Sequence, residues 1–470
     1  MFPSIAKKRL SLTTTTTTTI TTTKTTHTVK AGGFNEKFFQ TLHDKYGEVA
    51  RFWIFGDLNI SVTNPSHANE VYKKCPTRPK ETYMFLNYLG DENLLFQKDP
   101  VVVKQLRLKY NRMVSNQDAL RKVTRVAQEM FEKRDWLDKK GVDIHSMTGP
   151  LIYDIMGRVL FGGEWSKSEI GKEIRKNHVY LIENSNVWAF YPFKPWYSSA
   201  YRKYASTIKI LRHKAGILVD QRKRDIENDK TGKEAQRKDA VTMLCTERRE
   251  DGTLFFSRAL AISTLIGFLN GAYDTTHATT DWLLYHLAKY PDVQKRVQEE
   301  IDTRVKGDRV TLEEARSLTY LRAVISESMR LRSTVPVNQR VNLREDVAFG
   351  DGGKYVVPKG VNVNIPMALT FRCPAHFPGP KDASEFCPER FLGKSDSASK
   401  CSRSHTAFGA QKRMCVGFTF ALAELLAITV FMMKRFNVFC VDDNEKGPMK
   451  IEAGVNQPDG VLRLRFTRRR

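Results

Sequence analysis

Residues Phe255 to Lys289 form the longest apolar-periodic stretch of this 470-residue chain. At roughly 35 residues it would span about 50 Å as one helix. The chain is 41% hydrophobic, ample for the large core such a helix needs on its sides. Asn270-Gly271-Ala272 and then Asp274-Thr275-Thr276 place small, polar and β-branched residues at its middle, at a cost in helix stability. The expectation there is a local kink that opens a groove or a site.

Around this stretch the pattern is mostly helical. Helical spacing runs from Phe38 to Tyr46, over Ser66–Lys73, twice within Lys104–Lys133, over Gly149–Phe161 and along Ala205–Ile226. Pro291 opens a helix to about Val305. Thr311 with Glu314 makes a capping box for a helix expected to reach Leu331. Strand patterns cluster at Val49–Phe55 and Leu58–Val62, between Arg340 and Pro366, and near Gly460–Phe466. Asn184–Tyr204 is an aromatic-rich loop suited to a substrate entrance, a membrane surface or packing on its own domain. Glu227–Asp239 reads as an exposed linker. The fold class expected is mainly α with a small β-sheet region, in one large domain over 34–470. Residues 1–33 are threonine-rich, basic and free of acid, so they are expected to be disordered. They resemble an organelle transit peptide, and equally a low-complexity tail or a misplaced start.

The second informative stretch is Phe408–Ala421, which leads into an apolar helix over Phe418–Phe436. It places Cys415 just before a helix N-terminus. The unpaired N–H groups and the helix dipole there are expected to favour a thiolate. Gly417 lets the backbone approach something bulky, and Lys412 and Arg413 add positive charge. A thiolate, a close backbone and a cation suit a metal cofactor that carries anionic groups. A buried structural cysteine is the plainer alternative.

Glu327 and Arg330 share a helix face at i, i+3. Pro388-Glu389-Arg390-Phe391 supplies a second arginine about sixty residues on. If Arg390 meets Glu327, a buried Arg-Glu-Arg network can pin a loop.

Taken in order, Gly271-Ala272-Tyr273-Asp274-Thr275-Thr276, Glu327-Ser328-Met329-Arg330, Pro388–Phe391 and Phe408…Arg413…Cys415…Gly417 carry a resemblance. The chain resembles the cytochrome P-450 family of haem-thiolate monooxygenases over about Phe34–Phe466. The resemblance implies haem b as cofactor, with Cys415 as the axial iron ligand. It implies a propionate contact at Arg413, with Arg340 and Arg107 as further candidates, and Phe408 and Gly417 as part of the cysteine loop around the cofactor. Asp274 and Thr275 would move protons and hold the oxygen substrate. Glu327, Arg330 and Arg390 would be structural. Three positions depart from the family pattern: Gln411 stands where glycine is usual, Gly271-Ala272 inverts the small pair, and Val103 stands where a tryptophan precedes the arginine.

The activity implied is monooxygenation of a small, apolar organic substrate with O2. Electrons would come from NAD(P)H through a separate donor, a reductase or a ferredoxin, because no flavin or iron–sulfur segment is evident. An oxygen-independent haem-thiolate isomerase or dehydratase and a non-catalytic haem-binding protein are the alternatives. Lys plus Arg number 76 against 52 Asp plus Glu, a net charge of +24. With no nucleic-acid-binding module in sight, this charge points to an acidic protein or a membrane surface. Lys104, Arg107, Lys109, Arg112, Lys412 and Arg413 are the candidates for a cationic docking face. Seven scattered cysteines without a Cys-x-x-Cys pair argue against a disulfide framework or a zinc site. No run reaches the roughly 18 apolar residues of a transmembrane helix. The endoplasmic reticulum surface, a plastid and a mitochondrion all stay open as locations.

Overall fold

The computed structural model describes residues 36–469, apart from 55–56, 80–85, 116, 138–139, 163–164, 186–197, 394–395, 442–448, 453–454 and 459–460. The segment 1–33 and most of the aromatic stretch therefore lie outside the described residues; its last tyrosines, Tyr201 and Tyr204, belong to a helix over Ser199–Asn228.

Six helices position the site: α1 (Pro100–Val114), α2 (Gln117–Glu132), α3 (Ile144–Leu160), α4 (Arg258–Lys289), α5 (Thr319–Leu331) and α6 (Phe418–Arg435). A four-stranded sheet lies beside them, built of β1 (Val49–Ile54), β2 (Asp57–Val62), β3 (Val337–Val341) and β4 (Asn362–Pro366) in the order β1-β2-β4-β3. β2 and β4 are parallel and the other pairs antiparallel. A three-stranded sheet and two strand pairs complete a mainly α architecture with a minor β region, as the sequence predicts.

α4 runs through the largest core cluster. Leu265, Ile266, Leu269, Leu284 and Leu287 are fully buried with Leu151, Ile152 and Ile155 of α3 and Ala427 and Met432 of α6. Each such side chain contributes about 1.5–3 kcal/mol on leaving water. α4 continues as one helix through Asn270–Thr276, the stretch of the expected local kink. The threonine hydroxyls stay inside the helix: Thr275 donates to the carbonyl of Gly271, Thr279 to that of Thr275 and Thr280 to that of Thr276, at 2.7, 2.7 and 2.8 Å. These three hydroxyls are thus satisfied without leaving helical geometry.

The helix expected from Thr311 to Leu331 is two helices. The capping box forms as predicted and opens Leu312–Ser317, which ends at Leu318. α5 then begins anew because Glu300 accepts from the amides of Tyr320 and Leu321 at 2.8 and 2.9 Å. A cap borrowed from a distant residue satisfies the N–H groups that the break exposes.

α1 starts where Asp99 accepts from the amides of Val101 and Val102 and Pro100 takes the first helical position. Its buried face, Val103, Leu106 and Tyr110, turns Arg107 toward the start of α6.

Candidate active site

The cysteine loop is a tight turn ahead of α6. The Cys415 amide donates to the carbonyl of Phe408 at 2.7 Å, and the Met414 amide to that of Gln411 at 3.1 Å. The Phe408 ring meets the Phe418 ring edge-on at 4.8 Å. Two residues of the turn take left-handed backbone, Gly409 at φ 73° and Gln411 at φ 57°. Gln411 is the one non-glycine with positive φ among the described residues. That conformation explains why glycine suits this position: a side chain there costs about 1 kcal/mol or more.

Cys415 is exposed, yet protein surrounds it closely enough that burial pushes its thiol pKa up. The sulfur therefore faces a space inside the body of the protein. A Cβ added at Gly417 would meet only the Cys415 sulfur, at 3.8 Å, so the loop leaves that space clear. The expectation that the helix start alone favours a thiolate is corrected here. The Gly417 amide, Arg78 and Arg107 pull the pKa down, but loss of solvent outweighs them. A metal cation on the sulfur reverses this balance, because a coordinating thiol is deprotonated outright.

Four arginines gather beside the loop. Arg107 of α1 donates from Nη1 to the carbonyl of Met414 at 2.7 Å. Arg78 donates from Nη2 to the carbonyl of Arg413 at 3.2 Å, while its buried Nε has no partner. Arg413 is buried and donates to the carbonyls of Pro76 (2.9 Å), Leu94 (3.1 Å) and Gln97. Arg340 on β3 is fully buried; it donates to Asn338 and to the carbonyl of Gln339 and lies over the Tyr72 ring at 4.8 Å. Burial and then Arg78, Arg340 and Arg107 push the Arg413 pKa down to about 9. Arg78, Arg107 and Arg413 form no ion pair among the described residues. Cationic charge on one buried and two half-buried arginines calls for an anionic group. Arg78 escaped the sequence reading: in Thr77-Arg78-Pro79 no motif marks it, and only the bridge from Thr77 to Val341 brings it here. Arg413, expected on a docking face, is instead buried, and Lys109 of that face is paired with Glu247.

At the middle of α4, Asp274 is buried and accepts at Oδ1 from Nε2 of Gln457, at 2.8 Å. Gln457 comes from the C-terminal strand Val455–Pro458, a partner the sequence did not suggest. Thr275 is half-buried, its hydroxyl turned back to Gly271. Gly271 is exposed between half-buried Asn270 and Ala272, and an added Cβ there would meet nothing within 4 Å. Inverting the small pair thus leaves open space at this turn.

Glu327, Arg330 and Arg390 meet as predicted, all fully buried. Arg330 donates to both Glu327 oxygens at 2.6 and 2.8 Å, and Arg390 to one at 3.3 Å. Cys387 adds its amide to the same carboxylate at 2.8 Å. The remaining guanidinium N–H groups donate to the carbonyls of Phe371, Phe377, Lys381, Ala383 and Glu385 among others. A single carboxylate thereby fixes the loop between Phe371 and Arg390 to α5.

The family model for cytochrome P450 matches residues 24–464. The chain is 26% identical to the tabersonine/lochnericine 19-hydroxylase of Catharanthus roseus, over 86% of this chain and 82% of that one. It is 29% identical over 62% of its length to a self-sufficient cytochrome P450 monooxygenase, CYP505U2, of Exserohilum turcicum, of which it spans 26%. The structure of retinoic acid bound cyanobacterial CYP120A1 superposes with a TM-score of 0.78 and 18% identity, covering 93% of this chain and 95% of that one. Family members bind protoporphyrin IX haem iron. The residues present fit that group: an exposed cysteine whose thiol protein crowds closely, a glycine that leaves room beside it, and buried Arg413 with half-buried Arg78 and Arg107, which have no carboxylate partners among the described residues, Arg78 with an unpartnered Nε. The chain belongs to the cytochrome P450 family and is a haem-dependent monooxygenase.

Proposed function

We propose that the protein inserts one atom of O2 into a small, apolar organic substrate, with electrons from NAD(P)H delivered by a separate reductase or ferredoxin. The observation that carries this reading is the pairing of buried Asp274 with half-buried Thr275 beside the open turn at Gly271. A carboxylate and a hydroxyl on successive residues at an open turn of a core helix serve proton delivery, which an isomerase has no use for. Haem b, ligated by Cys415, supplies the oxygen-activating redox chemistry.

The chain's own residues then divide the work. Arg78, Arg107, Arg340 and Arg413 would hold the cofactor's anionic groups, whose charge would return Arg413 toward its ordinary pKa. Phe408 supports the cysteine loop, and the Gly417 amide moderates charge on the sulfur. Gln457 orients Asp274 through its bond to Oδ1. The Thr275 hydroxyl swings from the Gly271 carbonyl toward the open turn and donates its hydrogen bond there. Glu327, Arg330 and Arg390 hold the scaffold. Exposed Lys104, Arg112 and Lys412 offer a cationic face to an acidic electron donor. Among the described residues no helix is long and apolar enough to cross a membrane. The net charge of +24 suits an anionic membrane surface, of the endoplasmic reticulum or of an organelle.

The test compares the parent with Thr275→Val, each haem-loaded and supplied with a reductase, NADPH and a substrate panel. The parent should couple NADPH consumption to oxygenated product. The variant should keep consuming NADPH while product per NADPH falls about tenfold or more. Equal coupling in both proteins would remove Thr275 from the mechanism, and no substrate-dependent consumption by the parent would overturn the proposed activity.

A further inference from the structure

Away from the cysteine loop, α3 and α4 bring together His145, His277 and Asp281. One ligand atom from each lies within 4.8 Å of the others. Nδ1 of His145 is 2.7 Å from Oδ2 of Asp281, and Nε2 of His277 is 3.5 Å from that same oxygen. The two imidazoles stack with centroids 4.2 Å apart. Asp281 has no solvent exposure, and among the described residues no lysine or arginine pairs with it. Its other oxygen, Oδ1, sits 2.7 Å from the Thr148 hydroxyl.

We infer that His145, His277 and Asp281 form a binding site for a single zinc ion. Two imidazoles and a carboxylate are a zinc donor set, with a fourth position left for water. In a tetrahedral shell with bonds of 2.0–2.1 Å, ligand atoms stand about 3.3 Å apart. The His277–Asp281 separation is already close to that spacing, and His145 opens by roughly half an ångström to admit the ion. A divalent cation also neutralises a carboxylate that is buried with only imidazoles and a hydroxyl for company. Thr148 is the outer partner that fixes how Asp281 points. His145 gives the way in, because its side chain is 27% exposed while those of the other two ligands are buried.

Without metal, the three residues are joined by hydrogen bonds: His145 to Asp281, and His277 Nε2 to the His145 carbonyl at 2.9 Å. Zinc replaces both, and each neutral imidazole carries its N–H on the ring nitrogen that does not bind the ion. The bound ion would clamp α3 to α4 one turn from Asp274.

The test is zinc titration of the haem-loaded protein by calorimetry, with X-ray absorption at the zinc edge. The parent should take up one tight equivalent with a nitrogen and oxygen shell and no sulfur. His145→Ala should lose that equivalent while keeping its haem spectrum, and Thr148→Val should bind about tenfold more weakly. Asp281→Asn, at a fully buried position, is informative only if it folds, so His145→Ala carries the decision. An unchanged equivalent in His145→Ala, sulfur in the zinc shell, or no tight equivalent in the parent would each overturn the site.

Discussion

Arg107 and Met414 stand 307 positions apart in sequence and meet through one hydrogen bond of 2.7 Å. The bond ties the middle of α1 to the residue just before Cys415. It converts the packing of α1 into the position of the cysteine loop. Arg107→Ala should lower the haem retained per polypeptide and destabilise the loaded protein by about 1.5–3 kcal/mol, the value of a hydrogen bond from a charged group. Haem content after gel filtration, with guanidinium unfolding, checks this. Full retention and an unchanged midpoint would assign Arg107 no part in seating the cofactor.

Gln411 is held at φ 57° by the turn that places Cys415. Gln411→Gly should raise stability by about 1 kcal/mol, because glycine adopts that conformation without the steric cost. Gln411→Ala should give no such gain, since alanine keeps the Cβ. The comparison is of guanidinium midpoints for the three proteins, with haem occupancy alongside. A gain shared by alanine would mean that the strain is not in the backbone.

Glu327 is the single carboxylate for Arg330 and Arg390, and all three are shielded from solvent. Glu327→Gln leaves two buried cations without a counter-charge and should cost about 3–5 kcal/mol. Soluble yield and thermal unfolding report it. The exposed Arg121–Glu313 pair at 2.9 Å is the control, and Glu313→Gln should leave both readouts unchanged. Similar small effects at the two sites would contradict a pinning role for the buried network.

His405 packs between the rings of Phe371 and Phe391, and burial followed by the charge of Arg330 pushes its pKa down from 6.5 to about 3. The unfolded chain binds a proton there below pH 6.5, whereas the folded chain stays neutral until about pH 3. The stability His405 contributes is therefore fully present above pH 6.5 and is lost progressively as pH falls toward 3. His405→Phe keeps a ring in the same place without the titrating group. Over that window its stability should fall less steeply, by about 1.4 kcal/mol per pH unit. Parallel pH profiles for parent and variant would refute the assignment.

Much of the site was legible in the sequence because its parts are local. The loop from Phe408 to Gly417, the turn at Asp274-Thr275 and the pair Glu327–Arg330 each lie within one short segment, where spacing and side-chain chemistry are visible. The meeting of Arg390 with Glu327 is also legible, and so are the strands over Val49–Ile54, Asp57–Val62 and Asn362–Pro366, whereas β3 forms over Val337–Val341, ahead of the expected Val341–Leu343. What escaped depends on tertiary contact. Arg78 reaches the cysteine loop only through the bridge between Thr77 and Val341, and Gln457 reaches Asp274 across 183 positions. The cap that Glu300 lends to α5 is likewise invisible locally, so one predicted helix became two. The thiol of Cys415 was read from its helix start alone, and the packing that desolvates it reverses that reading. Gln411 looked like a defect in a glycine position. Its backbone angle shows that the loop keeps the glycine conformation without the glycine.

The central claim is that Cys415 is the axial ligand of a haem in the space it faces. The most direct measurement is the absorption spectrum of the reduced carbon monoxide adduct, for haem-loaded parent and for Cys415→His. The account predicts a red-shifted thiolate band in the parent and its replacement by a histidine-type spectrum in the variant. Absence of that band in freshly prepared, haem-loaded parent, or its persistence in Cys415→His, would contradict it.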